Sequence, residues 1–217
     1  MTGRFHAVQA EEIAKTIDHT LLRTEATSAD VEALCREAGS LHFAAVCVLP
    51  HYVPMAAALL KGTDVKVCTV VSFPHGVDEI DVVMNVSALL SGEVGLVRDE
   101  LAGVVRAVRV RGVNAGRGHT IVKAIIETCY LDDRFKRLAC RICEQVGVDF
   151  VKTSTGLGPH GATVKDVELL RDCLDASVGV KASGGIRTAA DAQRMIGAGA
   201  VRLGTSAGVV IMKELLA

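Results

Sequence analysis

The sequence Val-Lys-Thr-Ser-Thr-Gly at residues 151–156 returns in similar form at residues 180–185 as Val-Lys-Ala-Ser-Gly-Gly. Each copy ends a short apolar run with a lysine and continues into a turn of serine and glycine. The lysines, Lys152 and Lys181, are 29 positions apart, about one strand–helix unit of an α/β barrel. The spacing therefore predicts two neighbouring strands that each end in a lysine at the same mouth.

Two lysines at one mouth indicate a specific chemistry. Ammonium groups held close together repel, and the repulsion lowers the pKa of one of them, leaving a free amine that can attack a carbonyl. The pair therefore predicts an enzyme that forms an imine with its substrate. The alternative is that Lys152 and Lys181, with Lys123 and Asp81, form a buried ion-pair network that only stabilises the barrel.

Asp81 lies in the sequence Asp-Glu-Ile-Asp-Val-Val at residues 78–83. Alternation along a strand places Glu79, Asp81 and Val83 on one face. A carboxylate among lysines can relay protons through a water molecule, or it can be only a counter-ion that offsets their charge. The sequence leaves both roles open.

Short apolar runs alternate with helical periodicities along the whole chain. The runs are continuous, as is typical of strands buried on both faces of a parallel sheet. The candidate strands are Ile17–Leu21, Ala44–Leu49, Lys66–Ser72, Glu79–Asn85, Ile121–Ile126, Phe150–Thr153, Gly179–Ala182 and Val201–Gly204, and the candidate helices are Ser28–Gly39, Pro54–Leu60, Glu93–Val113, Asp132–Val146, Thr163–Leu174, Thr188–Ile196 and Ala207–Leu216. Eight strands separated by helices predict an α/β fold, a (β/α)8 TIM barrel, and residues 1–217 contain no linker, so we expect a single domain.

One connection is too short for this pattern. Only residues 73–78 separate the third candidate strand from the fourth, whereas parallel neighbours usually need a crossover of about a dozen residues. The predicted barrel therefore lacks the helix between strands 3 and 4. Either the two strands pair antiparallel, or one leaves the barrel, or the barrel is distorted there. The missing helix would also expose apolar barrel wall, which could drive aggregation or be covered by a partner subunit.

Composition and charge argue against several classes of function. The formal net charge is −1 and charges are scattered, so nucleic acid and anionic membranes are not expected partners. No apolar stretch reaches the length of a membrane span, and the N-terminus lacks an apolar signal region. The seven cysteines are an odd number, which indicates reduced thiols and a cytoplasmic protein rather than a disulfide framework.

No metal or cofactor site is expected from the sequence. The seven histidines show no ligand spacing, and no dinucleotide-binding fingerprint follows a strand. Cys140 and Cys143 form a Cys-x-x-Cys inside a helical pattern, without a second ligand pair for zinc. His19 lies beside Asp18 and could sit near the barrel mouth.

Glycine turns follow three late strands, at Gly156, at Gly184-Gly185 and at Gly204. Backbone N–H groups freed by glycine at a helix N-terminus make an anion site, and the loops after strands 7 and 8 of such barrels commonly hold a phosphate. Arg187 either adds charge to this site or is a solvated surface residue. The turns therefore indicate a phosphorylated ligand.

These motifs resemble those of one family. The chain resembles deoxyribose-phosphate aldolase, a metal-free, imine-forming aldolase on a (β/α)8 barrel, over nearly its whole length. The matching stretches are residues 17–21, 43–48, 78–83, 125–128, 150–156 and 181–187. The two lysine motifs together are the most specific part of the resemblance.

The resemblance implies a role for each matching residue. Lys152 would form the imine, Lys181 would lower its pKa, and Asp81 with a water would assist proton transfer. The positions that hold the substrate phosphate would be Gly156, Gly184, Gly185, Arg187, Gly204 and Ser206, and those that line the pocket would be Asp18, Thr20 and Cys47. The implied reaction is the reversible cleavage of 2-deoxy-D-ribose 5-phosphate to D-glyceraldehyde 3-phosphate and acetaldehyde, in deoxyribonucleoside breakdown. It needs no cofactor, and a homodimer is the family expectation.

The chain departs from the family pattern in two places. Ala207 follows Ser206 where family members often have a second serine, and the helix before the strand that contains Asp81 is absent. Because of the second departure, an alternative interpretation remains, in which the chain is an inactive or internally truncated aldolase paralogue that at most binds sugar phosphates. The glycine turns also allow another phosphate-binding barrel, such as an isomerase or a different imine-forming aldolase, but the paired lysine motifs argue against it.

Overall fold

The computed structural model describes residues 9–70, 77–114 and 119–217, which form a closed barrel of eight parallel strands. Each strand pairs with its neighbours in chain order, and the last strand closes the barrel against the first. The strands are β1 (Ile17–Leu21), β2 (Ala45–Val48), β3 (Lys66–Val70), β4 (Glu79–Val83), β5 (Ile121–Ile125), β6 (Phe150–Lys152), β7 (Gly179–Ser183) and β8 (Arg202–Thr205). The predicted fold is confirmed, and the apolar runs locate every strand.

Helices surround the barrel and cover its outer face. They are α1 over residues 9–14, α2 (Ser28–Leu41), α3 (Val53–Leu59), α4 (Val86–Leu90), α5 (Val94–Asn114), α6 (Asp133–Val146), α7 (Val164–Cys173), α8 (Ala189–Gly197) and α9 (Gly208–Leu216), with 3-10 turns at Pro50–Tyr52 and Thr128–Tyr130. Thr27 and Thr188 form capping boxes with Asp30 and Asp191, which fixes where α2 and α8 begin. Within the described ranges, no helix combines the length and the apolar character that crossing a bilayer requires.

β3 and β4 pair in parallel despite their short connection. Cys68, Thr69 and Val70 are the partners of Glu79, Ile80 and Asp81. The antiparallel pairing and the strand outside the barrel are therefore wrong. Residues 71–76 of the connection lie outside the described residues. A fully extended link from residue 71 to residue 78 reaches roughly 26 Å, which exceeds the rise of about 16 Å along a strand as short as β3, so the number of residues is compatible with parallel pairing.

The outer wall of these two strands is buried. Val67, Ile80 and Val82 project outward and are 3%, 8% and 9% exposed, and α3 packs against β3. The expectation that a missing helix would expose apolar barrel wall is therefore wrong at these residues.

The strand register determines which side chains fill the barrel. Lys152 is the partner of Lys181, and Lys181 is the partner of Arg202. Asp81 on β4 is the partner of Lys123 on β5. Because alternate residues of a strand point to the same face, the register brings these charged side chains together in the interior.

Gly179, at the start of β7, leaves space for the aromatic ring of Phe150 below these charges. A Cβ on Gly179 would lie 2.4 Å from the ring of Phe150. The guanidinium carbon of Arg202 lies 5.5 Å from the centre of the same ring, a favourable cation–π distance.

Candidate active site

The carboxylate of Asp81 lies at the centre of the charged cluster. Its Oδ2 accepts hydrogen bonds from the Nζ atoms of Lys152 at 2.8 Å and Lys181 at 2.9 Å, and its Oδ1 accepts one from Lys123 at 3.0 Å. Burial alone would raise the pKa of Asp81, but the charges of Lys123, Lys181 and Lys152 hold that pKa well below its usual range. Asp81 is therefore an ionised carboxylate shared by three lysines.

Lys181 has a carboxylate on two sides. Its Nζ donates to Oδ2 of Asp18 at 2.5 Å as well as to Asp81. Burial would lower the pKa of Lys181, but Asp18 and Asp81 outweigh this effect and raise the pKa above its ordinary value. The two carboxylates therefore favour the charged form of Lys181, so the free amine expected from the sequence is not assigned to Lys181.

A second layer of charge lies below Asp81. Arg202 donates to Oδ1 of Asp18 at 2.6 Å and to both carboxylate oxygens of Glu79, at 3.0 and 3.1 Å. Lys123 contacts Oε2 of Glu79 at 2.6 Å. Burial acts to raise the pKa values of Asp18 and Glu79, but the neighbouring cations lower both. These ion pairs connect β1, β4, β5 and β8 underneath the site.

A cavity of about 420 Å³ opens at the carboxyl ends of β1, β6, β7 and β8. Among the lysines in the described part of the chain, Lys152 alone lines this cavity, while Lys123 and Lys181 are 0% exposed. Of the residues expected from the sequence, those that line the cavity are Thr20, Lys152, Gly156, Gly184, Gly185, Arg187, Gly204 and Ser206. Asp18, Cys47, Asp81 and Lys181 are buried beneath it.

Glycine conformation shapes the wall of the cavity. Gly156, Gly184 and Gly185 have φ values of 92°, 86° and 81°, which L-amino acids with side chains rarely adopt. Gly161 was not among the glycines expected at the site, although a Cβ at that position would lie 2.2 Å from the carbonyl oxygen of Gly184. Glycine at 161 therefore allows the loop after β6 to touch the loop after β7.

Gly204 has a packing role inside the barrel. A Cβ at this position would lie 2.8 Å from Cβ of Ser183 and 3.2 Å from Cε of Lys181. Glycine at 204 therefore leaves space for the side chain of Lys181 to reach Asp81.

The two helices that follow β7 and β8 differ at their N-termini. The backbone N–H groups of Arg187 and Thr188, which precede α8, both donate to Oδ2 of Asp191 at 3.0 Å, so they are not available to an anion. α9 begins at Gly208 without a side-chain cap. The uncapped start of α9, next to Ser206, is the better anion site.

His19 lies on the outer face of β1 and not at the mouth, contrary to the expectation. Its Nε2 contacts Oε2 of Glu37 at 2.8 Å, and its ring packs edge-on to Phe43 with centres 5.2 Å apart. Because Asp18 points into the barrel, the next residue along the strand must point out.

Two charged residues near the site have no role among the predictions made from the sequence. Arg202 interrupts the apolar run at residues 200–203 and lies two positions before Gly204. It therefore shows the same pattern as the two lysines, which is a cation in an apolar run that leads into a glycine turn. Glu127 follows β5 and has a φ of 51°, a backbone conformation that no pattern in the sequence indicates. Its carboxylate accepts the N–H of Thr155 in the cavity wall.

The chain is similar to known proteins over almost its whole length. No protein-family model matches it. The deoxyribose-phosphate aldolase of Thermoanaerobacter sp. (strain X514) is 48% identical over 220 residues, which cover 93% of this chain and 96% of the relative. The corresponding protein of Streptococcus gordonii is 46% identical, with coverage of 93% and 96%. A solved deoxyribose phosphate aldolase from Aeropyrum pernix, described as a tetramer, has a TM-score of 0.83 at 33% identity and covers 97% of this chain and 94% of its own. The chain belongs to the deoxyribose-phosphate aldolase family.

Proposed function

We propose that the protein is a class I aldolase that reversibly cleaves 2-deoxy-D-ribose 5-phosphate to D-glyceraldehyde 3-phosphate and acetaldehyde, in deoxyribonucleoside breakdown. The observation that carries this proposal is the position of Lys152. Its Nζ is bonded to Asp81 at 2.8 Å, and its side chain lines the cavity. A lysine between a buried carboxylate and an open cavity can reach a substrate carbonyl and form an imine. Membership of the family supports the substrate.

The nitrogen of Lys152 bonds to the aldehyde carbon, and the carbonyl oxygen leaves as water. The bond between C2 and C3 of the sugar then breaks as its electrons move toward the protonated imine and the 3-hydroxyl loses its proton. D-glyceraldehyde 3-phosphate leaves first. A proton is added at C2, and water then hydrolyses the imine to release acetaldehyde and restore Lys152.

Asp81 and Lys181 support these steps from below. Lys181 remains charged, and its charge repels a second ammonium group at Lys152. Asp81 is ionised and lies within hydrogen-bond distance of Lys152, so it can exchange a proton with that nitrogen or, through a water, with C2. Asp18 holds Lys181 in place, and Cys47 packs beside Cys68 in the barrel interior.

The substrate phosphate binds where the loops after β7 and β8 line the cavity. Arg187 contributes positive charge, and Ser206 together with the uncapped start of α9 contributes hydrogen-bond donors. Gly156, Gly184, Gly185 and Gly204 let the backbone approach the ligand closely. No metal ion and no cofactor take part in this scheme.

The experiment that tests the function is borohydride trapping with 2-deoxyribose 5-phosphate, followed by mass spectrometry of the peptides. A reduced adduct is expected on Lys152 and should be lost in Lys152→Ala. Lys213→Ala, which removes an exposed lysine from α9, is the control that should keep the adduct. A cooperatively folded protein without an adduct would contradict the proposal.

The inactive, internally truncated paralogue is not favoured. That alternative required the short connection before β4 to misplace Asp81. In the structure β4 closes into the barrel on both sides, and Asp81 reaches all three lysines. We expect the single domain of residues 1–217 to act in the cytoplasm as a homodimer, which sedimentation velocity can distinguish from a tetramer like that described for the Aeropyrum pernix relative.

A further inference from the structure

The loop after β6 forms part of the cavity wall. It runs from residue 153 to residue 163, between Lys152 at the end of β6 and the start of α7. Thr155 and Gly156 of this loop line the cavity directly after Lys152. Because these residues form part of the cavity wall, the contacts that hold the loop bear on substrate binding.

Glu127 reaches this loop from the end of the neighbouring strand β5. Both of its carboxylate oxygens accept the backbone N–H of Thr155, each at 3.2 Å. The residues on either side of Glu127 also bind the chain next to Lys152, because Ile126 N–H donates to the carbonyl of Lys152 at 3.0 Å and Thr128 N–H donates to that of Thr153 at 2.8 Å. Glu127 thus extends the pairing of β5 and β6 into the loop.

Glu127 makes this contact from a strained backbone conformation. Its φ and ψ of 51° and 67° are left-handed, which is uncommon for a residue other than glycine. Such strain persists where surrounding contacts hold it, often at functional sites. The side chain is held in place, since Glu127 is only 6% exposed and a Cβ on Gly158 would lie 3.4 Å from its Oε1.

The far end of the same segment touches the opposite wall of the cavity. Gly161 packs against Gly184, and the N–H of Ala162 donates to the carbonyl of Gly184 at 3.2 Å. Residues 155–161 are therefore held by the Glu127 carboxylate at one end and by a contact between two glycines at the other. Gly156, which lines the cavity, lies inside this segment.

We propose that Glu127 is a positioning residue, which fixes the loop of residues 155–161 and thereby the side of the cavity that binds the substrate phosphate. The inference rests on the proposed aldolase function. Glu127 does not line the cavity itself, so it acts through Thr155. Loss of the carboxylate should weaken binding of a phosphorylated substrate and leave imine formation at Lys152 intact.

Glu127→Gln tests this proposal because it keeps the size of the side chain and offers one acceptor oxygen instead of two. Glu168→Gln, at an exposed position on α7, is the matched control with the same change of charge. We expect Glu127→Gln to raise the KM for 2-deoxyribose 5-phosphate about tenfold, with the KM for unphosphorylated 2-deoxyribose and the borohydride adduct with acetaldehyde unchanged. Glu127→Gly, which relieves the positive φ, should show the same selective rise if the glutamine variant folds poorly.

Hydrogen exchange separates this inference from the proposed function. Faster exchange of the amides at residues 153–161 in Glu127→Gln, and not in Glu168→Gln, would support the positioning role. Unchanged exchange would overturn it, and so would an equal rise in KM for both sugars. A wild-type protein that forms no adduct would overturn the aldolase function, while the exchange measurement would still decide the role of Glu127.

Discussion

Lys152 and Lys181 are partners on adjacent strands and donate to the same oxygen, Oδ2 of Asp81, at 2.8 and 2.9 Å. Their surroundings differ in one respect. Lys181 has a second carboxylate, that of Asp18, whereas Asp81 is the only carboxylate within 4.0 Å of Lys152 in the described chain. Lys152 also faces the cavity, and Lys181 does not. This asymmetry supports the proposal that Lys152, and not Lys181, reacts with the substrate.

Chemical labelling should report the same asymmetry. Limited reductive methylation of the native protein should modify Lys152, which is 4% exposed and lines the cavity, faster than Lys123 and Lys181, which are 0% exposed. Peptide mass spectrometry measures the extent at each lysine, and unfolded protein, in which all three should react, is the control. Equal labelling of Lys152 and Lys181 in the native state would contradict the placement.

Asp81→Asn should reduce the rate of 2-deoxyribose 5-phosphate cleavage by about 10² to 10⁴. An amide cannot take up a proton, and it leaves three lysines facing a neutral group. Asp99→Asn, at an exposed residue on α5 whose carboxylate pairs with Arg98, is the matched control and should be as active as the wild type. The rates can be followed by coupled detection of D-glyceraldehyde 3-phosphate, with thermal unfolding to confirm the fold. Near-normal activity of Asp81→Asn would show that Asp81 is only a counter-ion.

The sequence predicted the fold and the main charged residues because these depend on local patterns. Buried parallel strands are continuous apolar runs, so a lysine that ends such a run is conspicuous. Alternation along β4 correctly put Glu79 and Asp81 on one face. The charge asymmetry of the two lysines could not be predicted, because it depends on Asp18. That residue lies on β1, far from both lysines in the sequence, and meets Lys181 only in the closed barrel.

Two further features depend on contacts between distant segments. The parallel pairing of β3 with β4 could not be predicted from the length of their connection. The usual crossover of about a dozen residues is a typical value and not a lower limit. The N-terminus of α8 was expected to bind an anion, but Asp191, in the first turn of that helix, already accepts the N–H groups of Arg187 and Thr188 just before it. The acid that caps α8 therefore occupies two of the N–H groups expected to be available to a ligand.

Gly204→Ala should lower the cleavage rate about ten- to a hundredfold. The new Cβ would lie 2.8 Å from Cβ of Ser183 and 3.2 Å from Cε of Lys181, so both side chains must move within a packed interior. Gly39→Ala is the matched control, because no atom lies within 4 Å of a Cβ at that position in α2. It should leave the rate unchanged and stabilise the fold by about 0.5–1 kcal/mol. Wild-type kinetics in Gly204→Ala would contradict the packing role.

Arg202→Met should destabilise the protein at neutral pH by about 3–5 kcal/mol. It removes one partner from a buried ion-pair network and leaves Asp18 and Glu79 with fewer cations. Arg98→Met removes an arginine from an exposed pair with Asp99 and should change the free energy of unfolding by less than about 1 kcal/mol. Urea unfolding of both variants measures the difference.

The same variants should differ in their response to acid. The pKa values of Asp18, Glu79 and Asp81 are lowered in the folded protein, so their contribution to stability is complete above the unfolded values of about 4. It is lost as the pH falls further, because the unfolded chain then binds protons that the folded protein does not. Wild-type stability should therefore fall steeply below about pH 4, and Arg202→Met should show a shallower fall because Asp18 and Glu79 have lost a cation that lowers their pKa values.

The raised pKa values of Lys123 and Lys181 affect stability in the alkaline range. Their contribution is complete below about pH 10 and is lost above it. Urea unfolding at a series of pH values tests this, and parallel acid curves for the wild type and Arg202→Met would show that Arg202 does not set the charge of its two partners.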